Sequence, residues 1–268
     1  NVQQRPGLVW RKSMTTQGNI RFSRLELALG TEALKLLQAA RVTVIGIGGV
    51  GGIAAEILTR TGIGNLVVVD IDTVQHTDIN RQIFSLESTM GMTKIDAARK
   101  RLLDINPDLN LEGNHAFFHL DTAEELLSPK PDFVVDAIDA VLPKVELLTY
   151  CYNNSIPVIS AMGAAVRHDY GKIRVADIKK TQVCPLARVI RKRLRKRGIN
   201  KGIPCVFSAE PGPPLIPPEE MDDENLKTGH FRGRPRPVIG SYGPMINIFG
   251  LLAADYAIRR LIEQAEAN

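Results

Sequence analysis

The feature that most constrains the fold is a glycine-rich run, Gly46-Ile47-Gly48-Gly49-Val50-Gly51-Gly52. The residues before it, Arg41 to Ile45, are apolar and β-branched, which predicts a buried strand. Apolar side chains recur at helical spacing from Ile53 to Arg60, which predicts a helix. A glycine turn between a strand and a helix N-terminus presents backbone N–H groups to an anion. The sequence therefore predicts a nucleotide site at this turn.

Strands and helices alternate after the glycine run. This alternation predicts an α/β fold, with a doubly wound, mostly parallel, Rossmann-like sheet. We predict one domain over 1–268, with a core at about 24–180, a basic helix at about 185–198, an irregular proline-rich loop at about 210–243 and a closing helix at about 244–266. Within the core, helices are predicted at 24–40, 92–106 and 144–154, and strands at 66–70, 111–118, 132–136, 157–160 and 172–177.

Composition and cysteine spacing indicate the cellular compartment of this protein. No apolar run approaches the roughly 20 residues that a membrane-spanning helix needs. The three cysteines, Cys151, Cys184 and Cys205, form no C-x-x-C pair. This spacing argues against a structural zinc site and favours a reducing compartment, so we expect a cytoplasmic protein.

Polar residues after the second strand suggest which nucleotide binds. Asp70 ends that strand, where a carboxylate can accept hydrogen bonds from ribose hydroxyls, and Asp72 follows. These features suit a dinucleotide dehydrogenase equally well. Two cations distinguish an ATP site from a dinucleotide site: Arg81 after Asn80, and Lys94 in the first turn of a helix. Cations at these positions suit a triphosphate attacked at its α-phosphorus, because they neutralise charge on the phosphoryl oxygens.

A carboxylate also follows the fourth strand. Asp139 comes three residues after Asp136, at the sheet edge where open α/β sheets bind ligands. Mg²⁺ takes few carboxylates and shares phosphate oxygens, so Asp139 is the candidate Mg²⁺ ligand. The alternative is that Asp139 caps the following helix. Asp136 is the structural member of the pair.

Together these residues resemble the adenylation domain of the ubiquitin-activating-enzyme superfamily, the MoeB/ThiF/HesA group. The resemblance implies that Asp70 holds ribose, that Arg81 and Lys94 contact phosphates, and that Asp139 holds Mg²⁺. It also implies a homodimer, in which Arg24, from the run Arg21-Phe22-Ser23-Arg24, reaches the neighbouring subunit's ATP. The residues assigned to ATP and Mg²⁺ on these grounds are Gly46, Gly48, Gly49, Gly51, Asp70, Asp72, Asn80, Arg81, Lys94 and Asp139, and Arg24, Arg81, Lys94 and Asp139 are assigned to catalysis.

The second half of the chain contains one strongly basic segment, the helix predicted at about 185–198. Leu186, Ile190 and Leu194 are spaced four apart and predict a face that packs on the body of the protein. The cations between them are predicted to face solvent or nucleic-acid phosphate, and those assigned to tRNA are Arg188, Arg191, Lys192 and Arg195. A solvated charged helix is the alternative.

The order Cys184-Pro185-Leu186-Ala187, basic helix, Cys205 resembles the tRNA threonylcarbamoyladenosine dehydratase branch of the superfamily. This resemblance implies ATP-dependent adenylation of a carboxylate on the modified tRNA, followed by cyclisation. Activation of a ubiquitin-like sulfur carrier is the alternative enzymatic activity, and a nucleotide-binding adaptor for a sulfur-transfer protein is the non-enzymatic one. Cys205 is either a nucleophile, as in thioester-forming relatives, or a buried apolar residue.

Overall fold

The computed structural model describes residues 20–212 and 240–266, with side chains described to residue 263. Seven strands form one sheet in the order β3-β2-β1-β4-β5-β7-β6, and only the β6–β7 pair is antiparallel. The strands are β1 (Arg41–Ile45), β2 (Asn65–Asp70), β3 (Asn110–His115), β4 (Phe133–Asp136), β5 (Val158–Ala161), β6 (Ile173–Asp177) and β7 (Pro204–Ser208). The helices are α1 (Ser23–Leu29), α2 (Thr31–Ala39), α3 (Gly49–Arg60), α4 (Lys94–Ile105), α5 (Ala123–Leu126), α6 (Val141–Asn153), α7 (Pro185–Arg195) and α8 (Gly243–Glu266).

The strand order creates a crevice between β1 and β4. From β1 the chain adds β2 and β3 on one side, then crosses back and continues with β4 and β5 on the other. The helices that follow β1 and β4 therefore leave from opposite faces, so the loops between them part at the carboxyl ends. The glycine turn follows β1, and Asp139 follows β4. The topology thus brings both predicted site segments to one crevice.

Two apolar layers enclose the sheet. One contains buried residues of α2, α3, α4 and α8, and the other contains those of α5, α6 and α7. Each sheet face is covered because the central strands are apolar on both sides, as β2 shows with four consecutive buried residues. The prediction of a doubly wound, mostly parallel α/β fold is confirmed.

Several predicted element boundaries were wrong. The helix predicted over 24–40 is two helices, because Gly30 has φ +89° and interrupts the helical hydrogen bonds. The strand predicted over 111–118 ends at His115, where Ala116 N bonds Asn114 O at 3.0 Å in a turn. The first helix after the glycine run begins at Gly49, inside the run itself.

Other predictions concern later segments. The basic helix ends at Arg195, followed by turn residues to Gly198, and the closing helix begins at Gly243. Most of the predicted proline-rich loop, 213–239, lies outside the described residues. Among the helices that the structure describes, none is long and apolar enough to cross a membrane.

Candidate functional site: the crevice at the carboxyl ends of β1 and β4

The glycine turn is sterically fixed at two positions. Gly46 has φ +82°, and a Cβ on Gly51 would lie 1.8 Å from the carbonyl oxygen of Gly46. The positive φ at Gly46 and the short distance at Gly51 both disfavour any residue larger than glycine. The N-cap residue of α3 is Gly48, which has no side chain that could cap the helix. The first N–H groups of α3 are therefore not occupied by a capping side chain, as an anion site requires.

Asp70 connects the glycine turn to the loop after β2. Its Oδ2 accepts the backbone N–H of Ile47 at 2.8 Å, and its Oδ1 accepts that of Asp72 at 2.9 Å. Burial raises the pKa of Asp70, although the positive charge of Lys94 opposes that shift. Asp70 thus holds both loops in place, and its predicted contact with ribose stays a prediction.

Lys94 is held among carboxylates. Its Nζ lies 2.8 Å from Asp72 Oδ2, its side chain is 8% exposed, and its backbone N–H donates to Asp72 O at 2.9 Å. Burial alone would lower the pKa of Lys94, but the charges of Asp70 and Asp72 outweigh burial and raise it. Lys94 is therefore a fixed ammonium group beside the glycine turn. This arrangement agrees with the expectation that a cation in the first turn of a helix faces negative charge.

Arg81 is also fixed by its neighbours. Its guanidinium donates to Thr77 O at 2.7 Å and lies 3.3 Å from Asp78 Oδ1. Asp78 is buried and also accepts the amide of Gln82 at 2.6 Å. A Cβ on Gly49 would lie 3.4 Å from Arg81 Cγ, so this side chain borders the start of α3. Arg81 therefore borders the glycine turn, and Lys94 is linked to the turn through the charge of Asp70, which accepts the N–H of Ile47.

A buried ion pair supports the loop after β4. Lys144 Nζ lies 2.8 Å from Asp136 Oδ2, and both side chains are 0% exposed. Ser160 Oγ donates to the same oxygen at 2.6 Å, and Lys144 also donates to Ile138 O at 2.7 Å. The loop thus fixed carries Asp139, which is exposed. Asp136 is a structural residue, as predicted.

The loop after β4 also touches the glycine turn. A Cβ on Gly46 would lie 3.0 Å from Ala137 O, and Ala137 N donates to Ile45 O at 2.9 Å. The N-cap position of α6 is Ala140 rather than Asp139, and Ala140 has no side chain that could cap the helix. Asp139 therefore does not occupy the N-cap position that was its alternative role, and it lies in the crevice loop.

Two predicted site residues in the second half of the chain, Arg191 and Cys205, need correction. Arg191 does not extend into solvent: its guanidinium donates to Thr181 O at 2.7 Å, because it flanks the buried face of α7 and meets the carbonyls that end the preceding turn. That buried face consists of Ala187, Ile190 and Leu194, whereas the predicted Leu186 is only half-buried. The remaining cations assigned to tRNA are exposed: Arg188, Lys192 and Arg195.

Cys205 does not have the environment of a nucleophile. It is 0% exposed on β7, between β5 and β6, and lies opposite Ser160 on β5. Burial raises the pKa of its thiol well above the ordinary value, which disfavours the reactive thiolate. The structure therefore supports the buried apolar alternative. All three cysteines are buried and free.

The sequence analysis did not predict the buried residues that hold the loops of the site in place. Lys144 had a visible signal: together with Leu147, Leu148 and Cys151 it falls on the apolar face of α6, where a lysine needs a partner. Asp78 and Gln82 gave no comparable signal, because their mutual contact arises only in the folded loop. Asn80 bonds Ser241 O at 3.0 Å across 161 positions of sequence.

The fold and the crevice define a nucleotide-binding α/β protein of the ThiF family. The family model for ThiF matches residues 22–268, and the chain belongs to this family. Within it, the chain is 37% identical over 247 residues to a tRNA threonylcarbamoyladenosine dehydratase of Bacillus subtilis, covering 91% of this chain and 96% of that protein.

Solved structures agree with this relationship. The chain superposes on the Escherichia coli tRNA N6-threonylcarbamoyladenosine dehydratase TcdA in complex with AMP at a TM-score of 0.81 and 33% identity, and on its ATP complex at 0.80 and 32%. Each comparison covers 92% of this chain and 96% of that protein. A molybdopterin-synthase adenylyltransferase of Salmonella typhimurium is 31% identical over only 64% of this chain.

Proposed function

We propose that this protein is an ATP-dependent tRNA threonylcarbamoyladenosine dehydratase, which adenylates the carboxylate of that modification and promotes its cyclisation. The carrying observation is that similarity to dehydratases extends over about nine-tenths of the chain and includes the crevice. Similarity to the molybdopterin-synthase adenylyltransferase is restricted to a shorter part. The sulfur-carrier alternative therefore has less support.

The chemistry explains why ATP is needed. A carboxylate is a poor electrophile, because its leaving group would be oxide. One carboxylate oxygen attacks the α-phosphorus, the bond to pyrophosphate breaks, and an acyl adenylate forms. A nitrogen or oxygen of the same modification then attacks the acyl carbon, loses its proton, and expels AMP. An intramolecular attack has a high effective concentration, so the enzyme needs no covalent intermediate. This agrees with the burial of Cys205.

The crevice supplies fixed positive charge for the first step. Lys94 lies 2.8 Å from Asp72, and Arg81 lies 3.3 Å from Asp78, so both cations are held in place by carboxylates of the protein. Groups that are already oriented stabilise developing phosphoryl charge without reorganising. Asp70 and the N–H groups at the start of α3 would hold the ribose and the phosphates.

Asp139 would hold Mg²⁺ in this reaction. Among the described residues, no group of three or more His, Cys, Asp or Glu side chains could bind a metal alone. Mg²⁺ commonly uses one or two carboxylates together with substrate phosphates, so a single exposed Asp139 beside the glycine turn fits. When bound, the ion would neutralise phosphate charge.

The decisive experiment follows the substrate oxygen. The protein is incubated with ATP, Mg²⁺ and tRNA whose threonylcarbamoyl carboxylate carries ¹⁸O, and products are analysed by mass spectrometry. We expect the nucleoside to lose one water, pyrophosphate to form, and AMP to contain one labelled oxygen. Release of ADP, or an unlabelled AMP, would contradict adenylation. Asp139→Ala should abolish the reaction, whereas Asp104→Ala, at an exposed position near the end of α4, should not.

A homodimer with a shared site is part of the proposal. Arg24 is exposed on α1 and would reach the ATP of the second subunit. Mixing Arg24→Ala with Asp139→Ala tests this, because one site of a mixed dimer would contain both intact residues. We expect two inactive variants to regain up to about a quarter of wild-type activity on statistical mixing. Failure to regain activity, in a mixture shown to form mixed dimers, would show that Arg24 acts within its own chain.

The exposed cations of α7 would bind tRNA phosphates. Each phosphate contact contributes about 0.9 to the slope of log affinity against log salt for a duplex. The double variant Arg188→Glu/Lys192→Glu should therefore flatten that slope by about 2. The matched control, Arg99→Glu/Lys100→Glu on exposed positions of α4, should leave the slope nearly unchanged. Equal slopes in wild type and the α7 variant would leave α7 as a solvated charged helix. A cytoplasmic location and a sulfur-transfer partner stay predictions.

A further inference from the structure

Arg167 is a buried arginine without a role in the site described above. It follows β5 at the same sheet edge as the crevice, and only 4% of its surface is exposed. Among the described residues, its only hydrogen bond runs from Nη1 to Val166 O at 3.3 Å, and its Nε is buried without an acceptor. A buried guanidinium with donors unused is costly, because a charge removed from water needs hydrogen-bonded partners. The position therefore suits an anionic ligand.

Among the described residues, the carboxylate of Glu210 interacts with the charge of Arg167 but accepts no hydrogen bond from it. Glu210 accepts the backbone N–H groups of His168 and Asp169, each at 2.9 Å. The hydrogen bond from Asp169 is the main cause that lowers the pKa of Glu210, and the charge of Arg167 adds to it without a hydrogen bond. A Cβ on Gly212 would lie 1.9 Å from Arg167 Nη1, so backbone packs directly on the guanidinium. The Arg167 guanidinium is thus tightly packed, but its Nε–H has no hydrogen-bond acceptor.

A short segment links Arg167 to the crevice. Val166 N donates to Gly240 O at 3.0 Å, and the next residue, Ser241, accepts the side-chain amide of Asn80 at 3.0 Å. The rings of His168 and Tyr242 are 5.3 Å apart. The loop that contains Arg167 is therefore held, through residues 240–242, against the segment that contains Arg81.

We propose that Arg167 binds the carboxylate that is to be adenylated. This inference rests on the proposed function, since that reaction brings a second anion beside ATP. The proposed function assigns Lys94 and Arg81 to the phosphates, and each already pairs with a carboxylate of its own loop, so the second anion needs a different cation. The planar guanidinium donates two parallel hydrogen bonds to a carboxylate, which orients it as well as binding it. Arg167 would also reduce the repulsion between the carboxylate and the α-phosphate.

The test varies the ligand and the protein together. The ligands are threonylcarbamoyladenosine as the free nucleoside and its methyl ester, titrated calorimetrically in the presence of a non-hydrolysable ATP analogue. Wild type should bind the acid roughly tenfold to a hundredfold more tightly than the ester, the range expected for a charge-assisted hydrogen bond. Arg167→Gln should bind both alike. Arg167→Lys, which keeps the charge but not the fork, should fall between.

The control is Arg174→Gln, an exposed arginine on the neighbouring β6, which should behave as wild type. Equal affinity of wild type for acid and ester would overturn the proposal. So would a loss by Arg167→Gln and Arg167→Lys of affinity for the ATP analogue together with thermal stability, because Arg167 would then be structural. Weaker binding of unmodified tRNA by Arg167→Gln, with a flatter salt dependence, would assign Arg167 to a tRNA phosphate instead.

The outcome is separable from that of the proposed function. If wild-type protein discriminates acid from ester but removes no water from modified tRNA, the dehydratase proposal fails and the carboxylate site stands. If modified tRNA loses water but the preference for acid over ester does not depend on Arg167, the dehydratase proposal stands and the carboxylate site at Arg167 fails.

Discussion

Breaking the buried Lys144–Asp136 ion pair should be among the most damaging single changes in this protein. In Lys144→Met, a side chain of similar length keeps the packing but removes the ammonium group that lies 2.8 Å from Asp136 Oδ2 and 2.7 Å from Ile138 O. Asp136 keeps Ser160 Oγ and the backbone N–H of Ile138 as donors. Its charge is then buried without a counterion, at 0% exposure.

The expected magnitude follows from that burial. Removing one member of a fully buried ion pair costs about 3–5 kcal/mol, whereas an exposed pair contributes about 0–1 kcal/mol. The matched control is therefore Lys35→Met, which removes an exposed lysine 2.9 Å from Glu32. Urea unfolding monitored by circular dichroism gives both free energies of unfolding. A loss in Lys144→Met no larger than that in Lys35→Met would refute the argument.

A second variant separates charge from packing. Lys144→Met/Asp136→Asn removes the unpaired carboxylate and should recover a large part of the lost free energy of unfolding, because a neutral amide is cheaper to bury. Recovered stability need not restore activity, since the contact from Lys144 to Ile138 O that supports the loop before Asp139 is still missing. If the double variant is less stable than Lys144→Met, burial of the charge is not the cause of the loss.

Three further predictions concern the turn, the thiol and a carboxylate. Gly51→Ala should abolish ATP binding, because its Cβ would lie 1.8 Å from Gly46 O, whereas Gly163→Ala, 3.5 Å from the nearest atom, should bind normally in the same titration. Cys205→Ala should keep pyrophosphate release within about threefold of wild type, since a buried thiol is unreactive; complete loss would restore it as a nucleophile. Burial opposes ionisation of Glu56, but hydrogen bonds from Arg101 and Arg60 outweigh burial and lower the pKa of Glu56 below its ordinary value. The lowered pKa stabilises the fold at pH values above the ordinary pKa of a glutamate, and this stabilisation is lost as the pH falls through the folded value. Glu56→Gln should therefore reduce the free energy of unfolding more at neutral pH than in acid, and a deficit independent of pH in urea unfolding would contradict this.

The sequence by itself determined the parts of the protein that depend on neighbouring residues. Apolar β-branched runs, the glycine turn and the helical periodicity are local signals, and they predicted the sheet and its crevice. Arg81, Lys94 and Asp139 could be predicted as site residues because Asp139 closely follows a predicted strand, Lys94 begins a helix, and Arg81 lies in the loop between Asp70 and that helix. Parallel topology then brings such positions to one edge of the sheet.

The tertiary structure decided which side chains are buried and paired. From the sequence Arg191 is an exposed cation, but in the fold the turn at Thr181 lies beside it. Cys205 is a candidate nucleophile in the sequence, but in the fold it is buried in the apolar layer that contains α6 and α7. Lys144 and Arg167 are two basic residues with opposite fates: one is buried against Asp136, and the other is buried with an unused donor. The energy of a buried charge depends on groups that are distant in sequence, so no local pattern can fix it.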